Sequence, residues 1–206
     1  MTNVLTFKIE IEGLEDKIWR KIEISDKKTL ADLAYTILAS FDSLAYHLYN
    51  IKYDNKTYDC MVYPDEYHND EKLYDATATH LNNLNLKQND KLIMSYDIGT
   101  PTTFIITFLK TRNMEKGHGT HYPYVIDGAG RGMLDDISGY ELKEIVDNIY
   151  KKGFSDYDFT PGYERTIKYD YRNYDKEADN ILLKGLVLQI KEGYENGEWL
   201  WTKLKN

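Results

Sequence analysis

The chain has 206 residues, 42% hydrophobic and 29% charged, which is typical of one globular domain and excludes wholesale disorder. Its net charge of −8, from 34 acidic and 26 basic residues, argues against binding to nucleic acid or to an anionic membrane surface, because both need clustered basic side chains. The single cysteine, Cys60, excludes an internal disulfide, and neither a signal peptide nor an apolar run of about 18 residues is present, so we expect a cytoplasmic protein outside the membrane.

The first half of the chain predicts a sheet with one helix. Residues 4–12 and 18–25 alternate polar and apolar side chains with a period of two, which indicates two strands of an antiparallel hairpin. Thr29 and Asp32 have the spacing of a capping box, and the apolar residues that follow have helical spacing. The hairpin predicted next turns at Asp54-Asn55.

Strands at 91–97 and 103–110 complete this half. The second half begins with a polar stretch and a glycine-rich, acidic segment, 124–140. Ser138 and Glu141 form a second predicted capping box, which opens a helix over 139–151. A third helix is predicted from Lys176 to about Ile190, and the tail 197–205 as a short strand or a docked segment.

Together these elements predict an α+β fold: a mixed, mostly antiparallel sheet with a β-grasp-like N-terminal half over about 1–110 and helices packed on it. The C-terminal half, about 111–206, is expected to pack against it, so that 1–206 forms one domain. Trp19 lies on the strand face opposite Ile18 and Ile22, and we interpret it as covered by the C-terminal half; the alternative is a surface anchor for a partner.

Three sequence blocks occur in a recognisable order. They are IWRKIEISDKKTLADLAYTIL with SFDSLAYHLYNI, the strand end YDIG at Tyr96 to Gly99, and IDGAGRGMLDDISGYELKEIVDNI. In this order they resemble the plasmid pRiA4b ORF-3-like family of small α+β proteins. The resemblance implies a link to plasmids or mobile elements but no established biochemical function. The chain departs from the family pattern at Asp42-Ser43, Thr100-Pro101 and Met133-Leu134, so it resembles a divergent member.

Acidic residues at the ends of predicted elements are the candidate site. Asp97, Asp135 and Asp136 each adjoin a glycine or a turn, and carboxylates from separate loops can bind Mg²⁺ or Ca²⁺ or divide acid and base roles. His47 is a candidate further ligand or base. The alternative is structural: Asp135 or Asp136 caps the helix at 139–151, and Asp97 holds a turn.

Arg131, between Gly130 and Gly132, is a candidate contact for an anion, although glycines at a turn before a capped helix are enough to explain this run. The run lacks the spacing of a dinucleotide-binding or P-loop motif. His118 and His121 lack the second ligand pair of a zinc site.

Two function hypotheses remain. The first is a non-enzymatic protein-binding or adaptor module, because the sequence contains no complete catalytic motif; its partner is another protein, and it needs no cofactor. The alternative is a metal-assisted hydrolase or nuclease that uses the aspartate cluster and a divalent metal.

Overall fold

A computed structural model describes residues 2–61, 72–159 and 166–198. Within these ranges an eight-stranded sheet has the order β5-β4-β3-β6-β7-β1-β2-β8, in which every neighbouring pair is antiparallel except β4-β5. A two-stranded sheet pairs β9 with β10. The strands are β1 Asn3–Ile11, β2 Trp19–Ser25, β3 Tyr49–Tyr53, β4 Lys56–Asp59, β5 Leu73–Asp75, β6 Lys91–Tyr96, β7 Thr102–Asn113, β8 Tyr124–Ala129, β9 Asp158–Phe159 and β10 Ile167–Lys168. The helices are α1 Leu30–Ser40, α2 Gly139–Lys152 and α3 Lys176–Asn196.

The predicted α+β class with a mixed, mostly antiparallel sheet is confirmed. The β-grasp-like arrangement of the N-terminal half is not confirmed by this strand order. Strand β8, from the C-terminal half, pairs with β2, so the described parts of both halves share one sheet.

Both predicted capping boxes are confirmed. The Thr29 hydroxyl accepts from the Asp32 N–H at 3.0 Å, and the Asp32 carboxylate accepts from the Thr29 N–H at 3.0 Å. Ser138 and Glu141 repeat the arrangement at the start of α2. These bonds satisfy N–H groups that have no partner within the helix, which explains why α1 and α2 begin where they do.

Helix α3 runs beyond the predicted Ile190 to Asn196, where Gly197 ends it in the left-handed conformation with a φ of 67°. Most of the predicted tail, 199–205, lies outside the described residues. None of the helices in the described ranges combines the length and the apolar character that a membrane span requires.

The core lies on one face of the sheet. Along β7, buried Phe104, Ile106 and Phe108 alternate with half-buried residues, so the other face stays partly open to solvent. Every residue of α1 is buried, because α1 lies between the sheet and α3. On the α3 side, the rings of Tyr35 and Tyr194 stack with their centroids 5.4 Å apart.

Strand β2 joins the two halves through Arg20. Trp19 is only half-buried on the open face, where the ammonium of Lys8 lies 5.5 Å from the centre of its ring. Arg20 points to the core face and is fully buried. The joining role that the sequence suggested for Trp19 therefore belongs to its neighbour.

Candidate functional site

Two loops run side by side at the ends of α1 and β8. The 41–48 loop connects α1 to β3, and the 130–138 loop connects β8 to α2. The Met133 N–H donates to the carbonyl of Phe41 at 2.8 Å, and the Gly132 N–H donates to the Asp42 carboxylate at 3.2 Å. The loops are therefore joined from their first residues.

The glycines of the 130–138 loop allow this close approach. A Cβ atom on Gly132 would lie 2.0 Å from the carbonyl oxygen of Phe41, and one on Gly130 would lie 2.2 Å from that of Lys17. Gly130 also has a φ of 74°, which disfavours other residues. Close backbone packing therefore accounts for Gly130 and Gly132.

Asp135 links the two loops further along. Its carboxylate accepts from the Ser43 hydroxyl and the Leu44 N–H, both at 2.8 Å, and from the Tyr96 hydroxyl at 3.0 Å. Burial raises the pKa of Asp135, against the effect of these three donors. Because both oxygens are occupied within the protein, Asp135 supports the loops and does not itself join the cluster of ligand atoms described next.

His47, Asp97 and Asp136 come together from three separate loops. One ligand atom from each lies within 4.8 Å of the others, and the part of the chain that the structure describes contains no other such group of His, Cys, Asp or Glu side chains. The Nε2 atom of His47 lies 2.9 Å from Asp136 Oδ1 and 3.5 Å from Asp97 Oδ2. The exposed fractions of the side chains are 25% for His47, 10% for Asp97 and 67% for Asp136, so the cluster opens to solvent on the Asp136 side.

Asp97 is held in place by its own turn. It has a φ of 64°, and its carboxylate accepts from the Gly99 N–H at 2.9 Å and from the Thr100 hydroxyl. Burial alone would raise the pKa of Asp97, but these donors outweigh it, so the pKa lies below its usual value. The predicted turn-holding role is thus observed, and the same turn keeps the carboxylate ionised beside His47.

The other two members are also fixed by neighbours. Asp136 has a φ of 61° and accepts from the Tyr46 hydroxyl. The backbone of His47 is held by two tyrosines, since its carbonyl accepts from Tyr194 and its N–H donates to Tyr96 at 3.4 Å. Neither Asp135 nor Asp136 caps α2, because Ser138 has that role.

Arg131 lies apart from the cluster. Its Nε atom is 4.0 Å from Asp42 Oδ2, and the two side chains line a small pocket that Asp135 also borders. The remaining lining is mainly apolar, from Leu44, Met133, Leu134 and Phe159. The predicted anion contact is therefore next to an acid within the protein.

Arg20 belongs to the family sequence block, but the sequence predicted no role for it at the site; in the structure it contacts the start of both loops. Its Nε donates to the Ser40 carbonyl at 2.8 Å, and its Nη1 donates to the carbonyls of Ala129 at 2.9 Å and Gly130 at 2.7 Å. Burial lowers its pKa. A signal was present in the sequence, because Arg20 shares the strand period of Ile18 and Ile22.

The cluster offers one imidazole nitrogen and two carboxylate oxygens. Ligands bound at about 2.1 Å to one ion lie about 3 to 3.5 Å apart, close to the two separations from His47 Nε2. A mixed nitrogen and oxygen set suits Zn²⁺ or Mn²⁺ better than an all-oxygen ion such as Ca²⁺.

Comparison with known proteins identifies a family and a fold. Residues 3–180 match the family model described as plasmid pRiA4b ORF-3-like protein. No curated protein matches the sequence. Among solved structures, the crystal structure of the protein of unknown function MM3350 from Methanosarcina mazei Go1 is similar, with a TM-score of 0.64 and 18% identity over 86% of this chain and 96% of that one. At this identity the likeness concerns the fold alone.

Proposed function

The chain belongs to the plasmid pRiA4b ORF-3-like protein family, whose description names no reaction, so we propose its function from the geometry of the site. We propose that His47, Asp97 and Asp136 form a divalent-metal centre that supports hydrolysis. The observation that carries the proposal is the convergence of these three side chains within 4.8 Å from loops distant in sequence. Of the two sequence hypotheses, this geometry favours the metal-assisted hydrolase.

The arrangement has the features of a preformed centre. Asp97 is buried and ionised, and the carboxylates of Asp97 and Asp136 are both held by hydroxyl donors from the protein. Three protein ligands leave coordination positions open on the solvent side, near Asp136. A bound ion there would lower the pKa of a water ligand and polarise a substrate oxygen.

The net charge of the protein limits the class of substrate that we expect. A nuclease must attract a polyanion, whereas this chain has a net charge of −8, and Arg131 on the 130–138 loop already lies beside Asp42. We therefore favour a small or peptide-like substrate over a nucleic acid.

Titration calorimetry with Zn²⁺ and with Mn²⁺ tests the centre. We expect one site per chain in the wild type and loss of the binding heat in His47→Ala and Asp136→Asn. The matched controls are His118→Ala and Asp16→Asn, since His118 is 55% and Asp16 80% exposed, and neither belongs to the cluster. Equal heats in wild type and Asp136→Asn would contradict the metal centre.

Hydrolysis is tested separately with chromogenic esters and phosphate esters in the presence of the bound metal. Turnover should disappear on chelation and in Asp136→Asn, and remain in Asp16→Asn. Metal binding without turnover of any substrate would refute the hydrolase part of the proposal and leave a metal-binding protein.

A second candidate, the protein-binding module, is supported by a different surface. Helix α3 exposes Ile181, Leu182 and Leu188 by 81%, 61% and 58%, while its other side is buried through Leu183 and Ile190. Exposed apolar patches are common at protein interaction sites. A pull-down from native extract with wild type and Ile181→Lys tests it, and a monomer that recovers no stoichiometric partner would count against it.

A further inference from the structure

We propose that Arg20 is a positioning residue that sets the geometry of the His47 and Asp136 loops. Its effect on metal affinity rests on the proposed function; its effect on the position of the His47 side chain does not. The hydrogen bonds of Arg20 go to Ser40, Ala129 and Gly130, where the two loops begin, and not to His47 or Asp136.

The contacts of Arg20 hold the two loop origins at one point. Ser40 is the last residue of α1, and its carbonyl is among those that have no partner within the helix. Ala129 ends β8, and Gly130 begins the next loop. A single guanidinium donates to all three carbonyls at 2.7 to 2.9 Å.

From this point the loops stay joined as far as the cluster. The Phe41 to Met133 bond comes first, then the bonds from Ser43 and Leu44 to Asp135, and finally the contact of His47 with Asp136 at 2.9 Å. Each connection fixes the next, so a displacement at Arg20 is transmitted along both loops. Ser40 precedes His47 by seven residues, and Gly130 precedes Asp136 by six.

The chemistry of this position requires arginine. The planar guanidinium places Nε and Nη1 donors at fixed angles, whereas a lysine ammonium has no rigid fork. The guanidinium also contacts two rings, with its Cζ 3.8 Å from the centre of Tyr174 and 4.8 Å from that of Phe41. Lysine would keep the charge and lose this fixed geometry.

Comparing Arg20→Lys with Arg112→Lys separates positioning from stability. Arg112 is the control, because it too is an arginine held by several side-chain hydrogen bonds, two to Glu23 and one to Tyr122, but it lies on β7 away from both loops. Thermal unfolding is recorded for both variants. Binding and spectra are then measured at a temperature where both are folded.

The first measurement is the NMR signal of the His47 imidazole, assigned with His47→Ala. We expect it to shift in Arg20→Lys and to stay at the wild-type position in Arg112→Lys. The second is Zn²⁺ affinity, for which we expect a loss of about 10-fold or more in Arg20→Lys, the usual effect of a residue that supports metal ligands.

An unshifted His47 signal in folded Arg20→Lys would overturn the positioning role, whatever the metal result. A wild type that binds no Zn²⁺ would refute the metal centre, and the imidazole signal would still decide the role of Arg20. If Arg20→Lys does not fold, Tyr174→Leu replaces it, because it removes the stacked ring from outside both loops. An unchanged His47 signal in that variant overturns the proposal as well.

Discussion

The closest approach of the two loops predicts the effect of Gly132→Ala. The new Cβ would lie 2.0 Å from the carbonyl oxygen of Phe41 and 2.2 Å from its carbonyl carbon. Ordinary contact begins at 3.4 Å, so the backbones must separate by 3.4 − 2.0 = 1.4 Å. The obstacle is backbone, which cannot turn aside as a side chain does.

Such a separation breaks two hydrogen bonds, from Met133 to Phe41 at 2.8 Å and from Gly132 to Asp42 at 3.2 Å. A buried group that loses its partner costs about 1 to 3 kcal/mol. We therefore expect the free energy of unfolding to fall by about 2 to 6 kcal/mol, a large share of the roughly 5 to 15 kcal/mol typical of a domain.

Urea unfolding measures this loss, with Gly139→Ala as the matched control. The atoms nearest to a Cβ on Gly139 are 3.7 Å away, at Pro101 and Thr102, so that substitution meets no obstacle. We expect the midpoint of Gly132→Ala to fall by about 1 to 2 M and that of Gly139→Ala to stay near the wild type. Equal midpoints in the two variants would refute the close-packing explanation of the glycine run.

Three further predictions concern other parts of the molecule. Gly185→Ala, in α3 with no heavy atom within 4 Å of the new Cβ, should stabilise the protein by about 0.5 to 1 kcal/mol in thermal unfolding. Burial, with the charge of Asp42 beside it, raises the pKa of Asp179 to about 6, so the folded protein holds this proton at a pH where the unfolded chain has lost it. The contribution of Asp179 to stability should therefore fall as the pH rises from about 4 to about 6. Over this range, the free energy of unfolding measured in urea should fall less, or rise more, in Asp179→Asn than in Asp16→Asn. Burial also raises the pKa of Cys60 to about 12, so we expect this thiol to react with a disulfide reagent at pH 8 only in urea; rapid reaction of the native protein would contradict this.

Local chemistry made the elements of this fold predictable. The two capping boxes and the Asp54-Asn55 turn depend on neighbouring residues only, and the structure contains all three, with φ values of 51° and 57° in the turn. The β-grasp-like arrangement could not be predicted from neighbouring residues alone, because it depends on which strands pair. Strand pairing is set by contacts between distant segments, which the order of elements along the chain does not specify.

The candidate site was predictable as a set of residues but not as a geometry. Asp135 and Asp136 are adjacent and chemically identical, so no local pattern distinguishes their roles. In the structure the left-handed conformation of Asp136 turns its carboxylate to His47, while that of Asp135 is directed to Ser43 and Leu44. The division of roles therefore depends on how the two loops pack, which neighbouring residues alone do not specify.

The position of Arg20 shows that the period of a strand can predict a buried charged residue without any known motif. Its position, in register with Ile18 and Ile22, directs a charged side chain into the core, where a charge is tolerated only with several polar partners. Helix ends and loop starts are the places in a core where carbonyl groups still lack partners. A buried arginine on an otherwise apolar strand face therefore predicts that two such segments meet there, and in this chain both segments lead within seven residues to a member of the candidate site.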